Sequence, residues 1–164
     1  MILKSFETNK INLKNNKYIL FYGKNEGAKS EEIFKLLKNF NQESIKKYDE
    51  KEIFEKKEIF LENLLSKSLF EKEKIIFVNR VTDKSFTIFQ EIKDRDLPDL
   101  FIIFNSENLD KRSKLRSEFE KNKNFICIPF YQDKDDTLIK ITKSFLKERS
   151  ISISQANINL IINR

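Results

Sequence analysis

A chain of 164 residues is the size of one domain, and sixteen Phe beside only two Gly and two Pro describe a structured fold, although 35% of the residues are charged. There is no histidine and a single cysteine, which excludes histidine triads, zinc centres and disulfides. The net charge of +6 comes from 32 Lys and Arg interleaved with 26 Asp and Glu, so a solvated surface is expected rather than a dedicated nucleic-acid stripe. The N-terminus MILKSFETNK has no leader-like apolar stretch, and no apolar run reaches the roughly 18 residues of a membrane span, so a cytoplasmic location is expected.

In chain order, the first strand is expected at Tyr18 to Tyr22, followed by a loop and a helix near Ala28 to Phe40 with Ile33, Phe34, Leu36, Leu37 and Phe40 on one stripe. A strand at Ser44 to Tyr48 precedes one long helix at Lys51 to Leu65. A third strand at Lys74 to Asn79 leads to a helix at Ser85 to Lys93, and a fourth at Leu100 to Asn105 to a basic helix at Lys111 to Lys121. The last strand, Phe125 to Ile128, holds Cys127 and makes it a buried core thiol. A long helix then spans Asp135 to Lys147. Short apolar runs alternating with amphipathic segments predict an α/β fold, a five-stranded parallel sheet flanked by helices, with ligand sites at the strands' carboxyl ends. The final stretch, ISISQANINLIINR, has Ser152 or Ser154 as a helix cap and apolar residues running on without a stop signal. Two domains are therefore expected: residues 1–147, and the opening of a second, helical domain at 148–164 that continues beyond the given sequence.

Two segments carry chemistry. The first, KYILFYGKNEGAKS, matches a phosphate-binding loop from Gly23 through Lys29 and Ser30, except that Ala28 stands where the second glycine belongs and Gly27 comes one residue early. Gly23, Lys29 and Ser30 supply the turn, the phosphate lysine and the metal hydroxyl of such a loop. Ala28 puts a methyl group where backbone must approach phosphate. The strand that should end in a metal-holding acid instead ends in Asn79 and Arg80, leaving hydrolysis without an anchor for metal or water. The alternative is that Gly23 only permits a tight turn, with Lys29 and Ser30 on a solvated helix start. The second segment is SKSLFEK, Ser66 to Lys72. If the preceding helix continued into it, Ile53, Phe54, Phe60, Leu61, Leu64 and Leu65 would share one face and Phe70 would point roughly 150° away, with Leu69 nearer the edge. The pair would form an exposed apolar tip. Against this, the helix could stop before Ser68 and the pair fold into the core, and Ile59 also faces outward. Asn105 at a strand end reads as a nucleotide-sensing position or as turn chemistry, and Lys111 to Lys123 as a solvated face or a phosphate-contacting one.

The loop FYGKNEGAKS, the segment LLSKSLFEKEKIIFVNRV, the stretch LFIIFNSENLDKRSKLRSEFEK, and FICIPFY followed by a helix and SISQANINLI together resemble the delta subunit of bacterial DNA polymerase III, the clamp-loader wrench. The likeness runs along essentially the whole chain in the family's order. It implies a degenerate AAA+ or P-loop NTPase-like first domain without ATPase activity, the start of a helical lid, and no cofactor or bound metal. It further implies that Leu69 and Phe70 bind the β sliding clamp and promote its opening for loading onto primed DNA, and that other loader subunits join through a collar domain. The chain would be no enzyme by itself, being classed with DNA-directed DNA polymerase, a nucleotidyltransferase, only as a holoenzyme subunit. The rival readings are a P-loop NTPase or kinase-like domain and a basic DNA-binding module.

Overall fold

The computed structural model describes residues 1–12, 16–38, 40–66, 73–95, 97 and 99–162. Five parallel strands, β1 (Tyr18–Tyr22), β2 (Ile45–Asp49), β3 (Lys74–Asn79), β4 (Leu100–Ser106) and β5 (Phe125–Pro129), form one sheet in the order β2-β3-β4-β1-β5. Alternation along each strand divides the core in two. Tyr18, Leu20 and Tyr22 of β1 face one side with Ile76, Ile102 and Phe125, where α2 (Glu50–Glu55), α3 (Lys57–Leu65), α4 (Ser85–Lys93) and α5 (Lys114–Lys121) cover them. Ile19 and Phe21 face the other side with Ile75, Ile103 and Ile126, packed by Ile33 and Leu37 of α1 (Glu26–Leu37). Phe89 of α4 is fully buried and meets four aromatic rings, Tyr18, Phe104, Phe119 and Phe125, at centroid distances of 5.0–5.7 Å.

The strand order has a topological consequence. From β1 the chain crosses to the far edge with α1 on one face, whereas the later connections return across the sheet with their helices on the other. The carboxyl ends of β1 and β4, neighbours in the sheet, therefore flank the crevice where such folds hold ligands.

The β5 edge carries an addition that sequence patterning did not suggest. Ile2 bridges Cys127 in parallel, with Leu3 N donating to Cys127 O and Cys127 N to Met1 O, each at 3.0 Å. Lys46 and Lys47 are exposed on the opposite edge strand, β2, and so discourage edge pairing.

Three expected helices change. α1 begins at Glu26 because Asn25 caps it, and Phe34, assigned to the buried stripe, is 68% exposed. The single helix at Lys51 to Leu65 is two, α2 and α3, broken at Lys56 where φ −130° and ψ 45° leave the helical region. α5 starts three residues later than Lys111 because Ser113 takes the N-cap position, its hydroxyl accepting from Arg116 N.

The chain divides into two compact units, Met1–Phe130 and Tyr131–Arg164, and the second contains α6 (Asp135–Glu148) and α7 (Gln155–Ile162). Ile158 of α7 is the residue this unit buries among those described, and Ser154 caps α7 by accepting from Asn157 N. α6 ends in a Schellman turn: Ile151 N donates to Leu146 O at 2.9 Å, Ser150 N donates to Lys147 O at 3.1 Å, and Ser150 sits at φ 55°. A serine there bears the left-handed penalty that glycine avoids. Ser150→Gly should accordingly stabilise the chain by about 0.5–1 kcal/mol, read as a higher denaturant midpoint of the full chain with an unchanged slope.

Candidate functional site

Of the residues matching a phosphate loop, Gly23 and Lys29 meet at the ends of β1 and β4, in an arrangement unlike an open ligand cradle. Gly23 follows β1 at φ 124°, and a Cβ there would lie 2.1 Å from Phe130 O, so only glycine fits. Gly27 has open space and no left-handed φ, so nothing in the loop requires it to be glycine. Asn25 caps α1 by accepting from Ala28 N at 3.1 Å, and its own carbonyl accepts from Lys29 N. The helix thus starts two residues ahead of Ala28, shortening the loop and engaging amides that would otherwise face phosphate.

Lys29 corrects the alternative drawn from the sequence, since it does not lie on a solvated helix start. Its side chain has no exposure, and its ammonium donates to Gly23 O at 2.9 Å, Ser106 O at 2.7 Å and Glu26 Oε1 at 2.5 Å. Three donors meet three acceptors. The two carbonyls belong to the ends of β1 and β4, so the charge occupies the fold's ligand crevice. Ser30 is exposed on α1. Periodicity did not reveal this burial; the signal in the sequence was Glu26 three residues before Lys29 on the first helical turn.

The neighbouring strand ends are also engaged. Asn79 Oδ1 accepts from Asn105 Nδ2 at 3.0 Å, and Arg80, at φ 54°, forms an ion pair with Asp49 of β2. Asn105 Oδ1 is buried without a partner among the described residues. Asp83 accepts from Ser113 Oγ at 2.7 Å and Leu115 N at 2.9 Å, tying the turn after β3 to the start of α5. Burial alone would raise the Asp83 carboxyl, but those donors and the Lys114 N–H outweigh it and hold it below the usual range. Cys127 is fully buried, and desolvation pushes its thiol up to about 12, so thiolate chemistry is suppressed near neutrality. In the basic segment, Arg116 pairs with Glu120 at 2.8 Å and stacks 4.7 Å from the Tyr22 ring centre. Part of that charge is therefore spent inside the domain.

Leu69 and Phe70 lie outside the described residues. α3 ends at Leu65 with Ser66 extended at ψ 113°, so the helix on which an outward Phe70 was expected stops before Ser68, and the break at Lys56 interrupts its phase. Of the face assigned on the wheel, Ile53, Phe60 and Leu64 are buried while Phe54 and Leu65 are 41% and 44% exposed; Ile59 is exposed, as read. Lys74 Nζ donates to Asn63 O at 2.6 Å and Ser66 O at 2.7 Å, capping the carboxyl end of α3.

No protein-family model matches the chain, and no curated protein matches it in sequence. Solved structures do. The Bacillus subtilis DNA clamp loader delta protein superposes with a TM-score of 0.63 at 13% identity, over 96% of this chain and 51% of that one. The fold is AAA+-like. A replication initiator DnaA, bound in its structure to AMPPCP and single-stranded DNA, superposes with a TM-score of 0.58 at 17% identity, over 96% of this chain and 53% of that one. The chain thus spans about half the length of these structures. Among the described residues no helix is long and apolar enough to cross a membrane.

Replacing Lys29 tests the role of the buried ammonium. Lys29→Met fills the volume but leaves Gly23 O without its donor, so stability should fall by about 1–3 kcal/mol. Glu26→Gln, at a half-exposed partner, should cost under about 1 kcal/mol. Urea denaturation of the two variants measures both, and equal small losses would show that the ammonium does not hold the strand ends.

Proposed function

We propose that this chain is the nucleotide-independent AAA+-like domain of a clamp-loader delta-type subunit, working in DNA replication by binding a sliding clamp and favouring its opened ring. The observation that carries the reading is the Lys29 ammonium, which fills the ligand crevice and has its three donors engaged by the protein. A nucleotide would have to displace Glu26 and two strand-end carbonyls from that charge. The strand ends beside it present Asn79 and Arg80, without a free acid to hold magnesium. An AAA+-like frame that keeps its shape by internal bonds suits a subunit whose task is mechanical. The likeness to a clamp-loader delta protein over nearly the whole chain supports the same assignment.

The clamp contact is assigned to Leu69 and Phe70 on the sequence resemblance alone. Opening a ring requires that the open form be bound more tightly than the closed one, since only differential affinity shifts that equilibrium. The domain catalyses nothing itself and would act in the cytoplasm with primed DNA and the other loader subunits.

Calorimetric titration of ATP with Mg²⁺ should show no binding in the micromolar range and no turnover; micromolar affinity, or hydrolysis lost in Lys29→Ala, would overturn the nucleotide-independent reading. Against the sliding clamp from the same source, the Leu69→Ala/Phe70→Ala double variant should bind about a hundredfold more weakly, each side chain contributing about 1.5–3 kcal/mol on burial. Its melting temperature should stay near the wild-type value. A double variant with wild-type affinity, or one that loses affinity only through collapse of its fold, would place the pair in the core.

A further inference from the structure

Glu50 opens α2 and is 8% exposed, yet it forms no ion pair among the described residues. A carboxylate withdrawn from water without a counter-ion is costly unless its oxygens are fully hydrogen-bonded. Here one short turn supplies the donors. Thr82 N donates to Oε1 at 2.8 Å, the Thr82 hydroxyl lies 3.0 and 2.8 Å from the two oxygens, and the Ser85 hydroxyl donates to Oε1 at 2.6 Å. That turn is itself tied down: Val81 N donates to Asn105 O, Ser106 Oγ donates to Val81 O, and Asp83 accepts from the start of α5.

The helices that Glu50 introduces have little stability of their own. α2 has six residues and α3 nine, with a break at Lys56 between them, and helices this short are marginal without tertiary anchors. Ile53, Phe60 and Leu64 provide their buried contacts, and Lys74 clips the far end of α3. We propose that Glu50 is a positioning residue: it mounts the α2–α3 arm on the turn between β3 and α4, so that the arm meets a partner in one preset orientation. The partner half of this inference rests on the clamp-binding reading above; the mounting half does not.

Hydrogen–deuterium exchange on the full chain, with clamp affinity and melting temperature measured alongside, tests it. Glu50→Ala should speed exchange in α2 and α3 about tenfold or more while β1, β4 and α5 keep their protection, and should weaken clamp binding about tenfold. Glu50→Gln, which keeps an acceptor oxygen in the same place, should restore both. Thr82→Val, which removes a donor without touching the arm, should show the Glu50→Ala pattern in weaker form and serves if Glu50→Ala does not fold. Unchanged exchange in the arm, or loss of protection spread evenly over the sheet in both Glu50→Ala and Thr82→Val, would overturn the mounting role. Loosening of the arm with clamp affinity intact would refute the preset orientation, whereas a wild-type chain that ignores the clamp would sink the functional reading and leave the exchange result to decide the role of Glu50.

Discussion

A positive charge lies at the point where the sheet reverses its winding, and the neighbouring strand ends are arranged around it. In an open α/β sheet the carboxyl ends of the two strands flanking this reversal leave a crevice whose carbonyls and amides need partners, and a bound ligand commonly provides them. Here the Lys29 ammonium reaches back from the first turn of α1 to the last carbonyls of β1 and β4. Its third donor goes to Glu26, which keeps the charge compensated at the rim. The geometry depends on Gly23, whose φ of 124° lets the chain pass against the backbone of Phe130 where any side chain would collide. Once that turn is made, Asn25 can cap α1 early and aim Lys29 inward.

The loops around this point hold one another by the same means. Asn79 with Asn105, Arg80 with Asp49, Glu50 with Thr82 and Ser85, and Asp83 with Ser113 and Leu115 form a row of pairings along the carboxyl edge, each joining segments far apart in sequence. Most couple a carboxylate or amide to a hydroxyl or a backbone N–H at a helix start, so capping and loop fixation are the same bonds. An edge knitted in this way ties these loops to one another.

Much of the architecture was legible in the chain. The apolar runs at Tyr18–Tyr22 and Lys74–Asn79 become strands with those bounds, and Ser85–Lys93 becomes a helix with its own, because strong periodicity over a buried segment leaves little choice of conformation. Gly23 and Lys29, which match a phosphate loop, lie together at the ends of β1 and β4. What the pattern could not show was the direction taken by Lys29, since a lysine at a helix start reads as solvated until carbonyls from a strand 77 residues away close over it. The break at Lys56 was hidden as well, because the residues on either side of it favour helix and an unbroken helix would also put Ile53 and Phe60 on one face.

The sequence by itself determined the order of elements, the parallel sheet, the buried thiol of Cys127 and the Asn79 that ends β3. These follow from local alternation and residue type, which act over a few positions. Only the tertiary structure decided that Lys29 and Glu50 are buried. Each of those outcomes rests on partners brought together by chain crossings, and the balance between desolvating a charge and hydrogen-bonding it cannot be struck until those partners are in place.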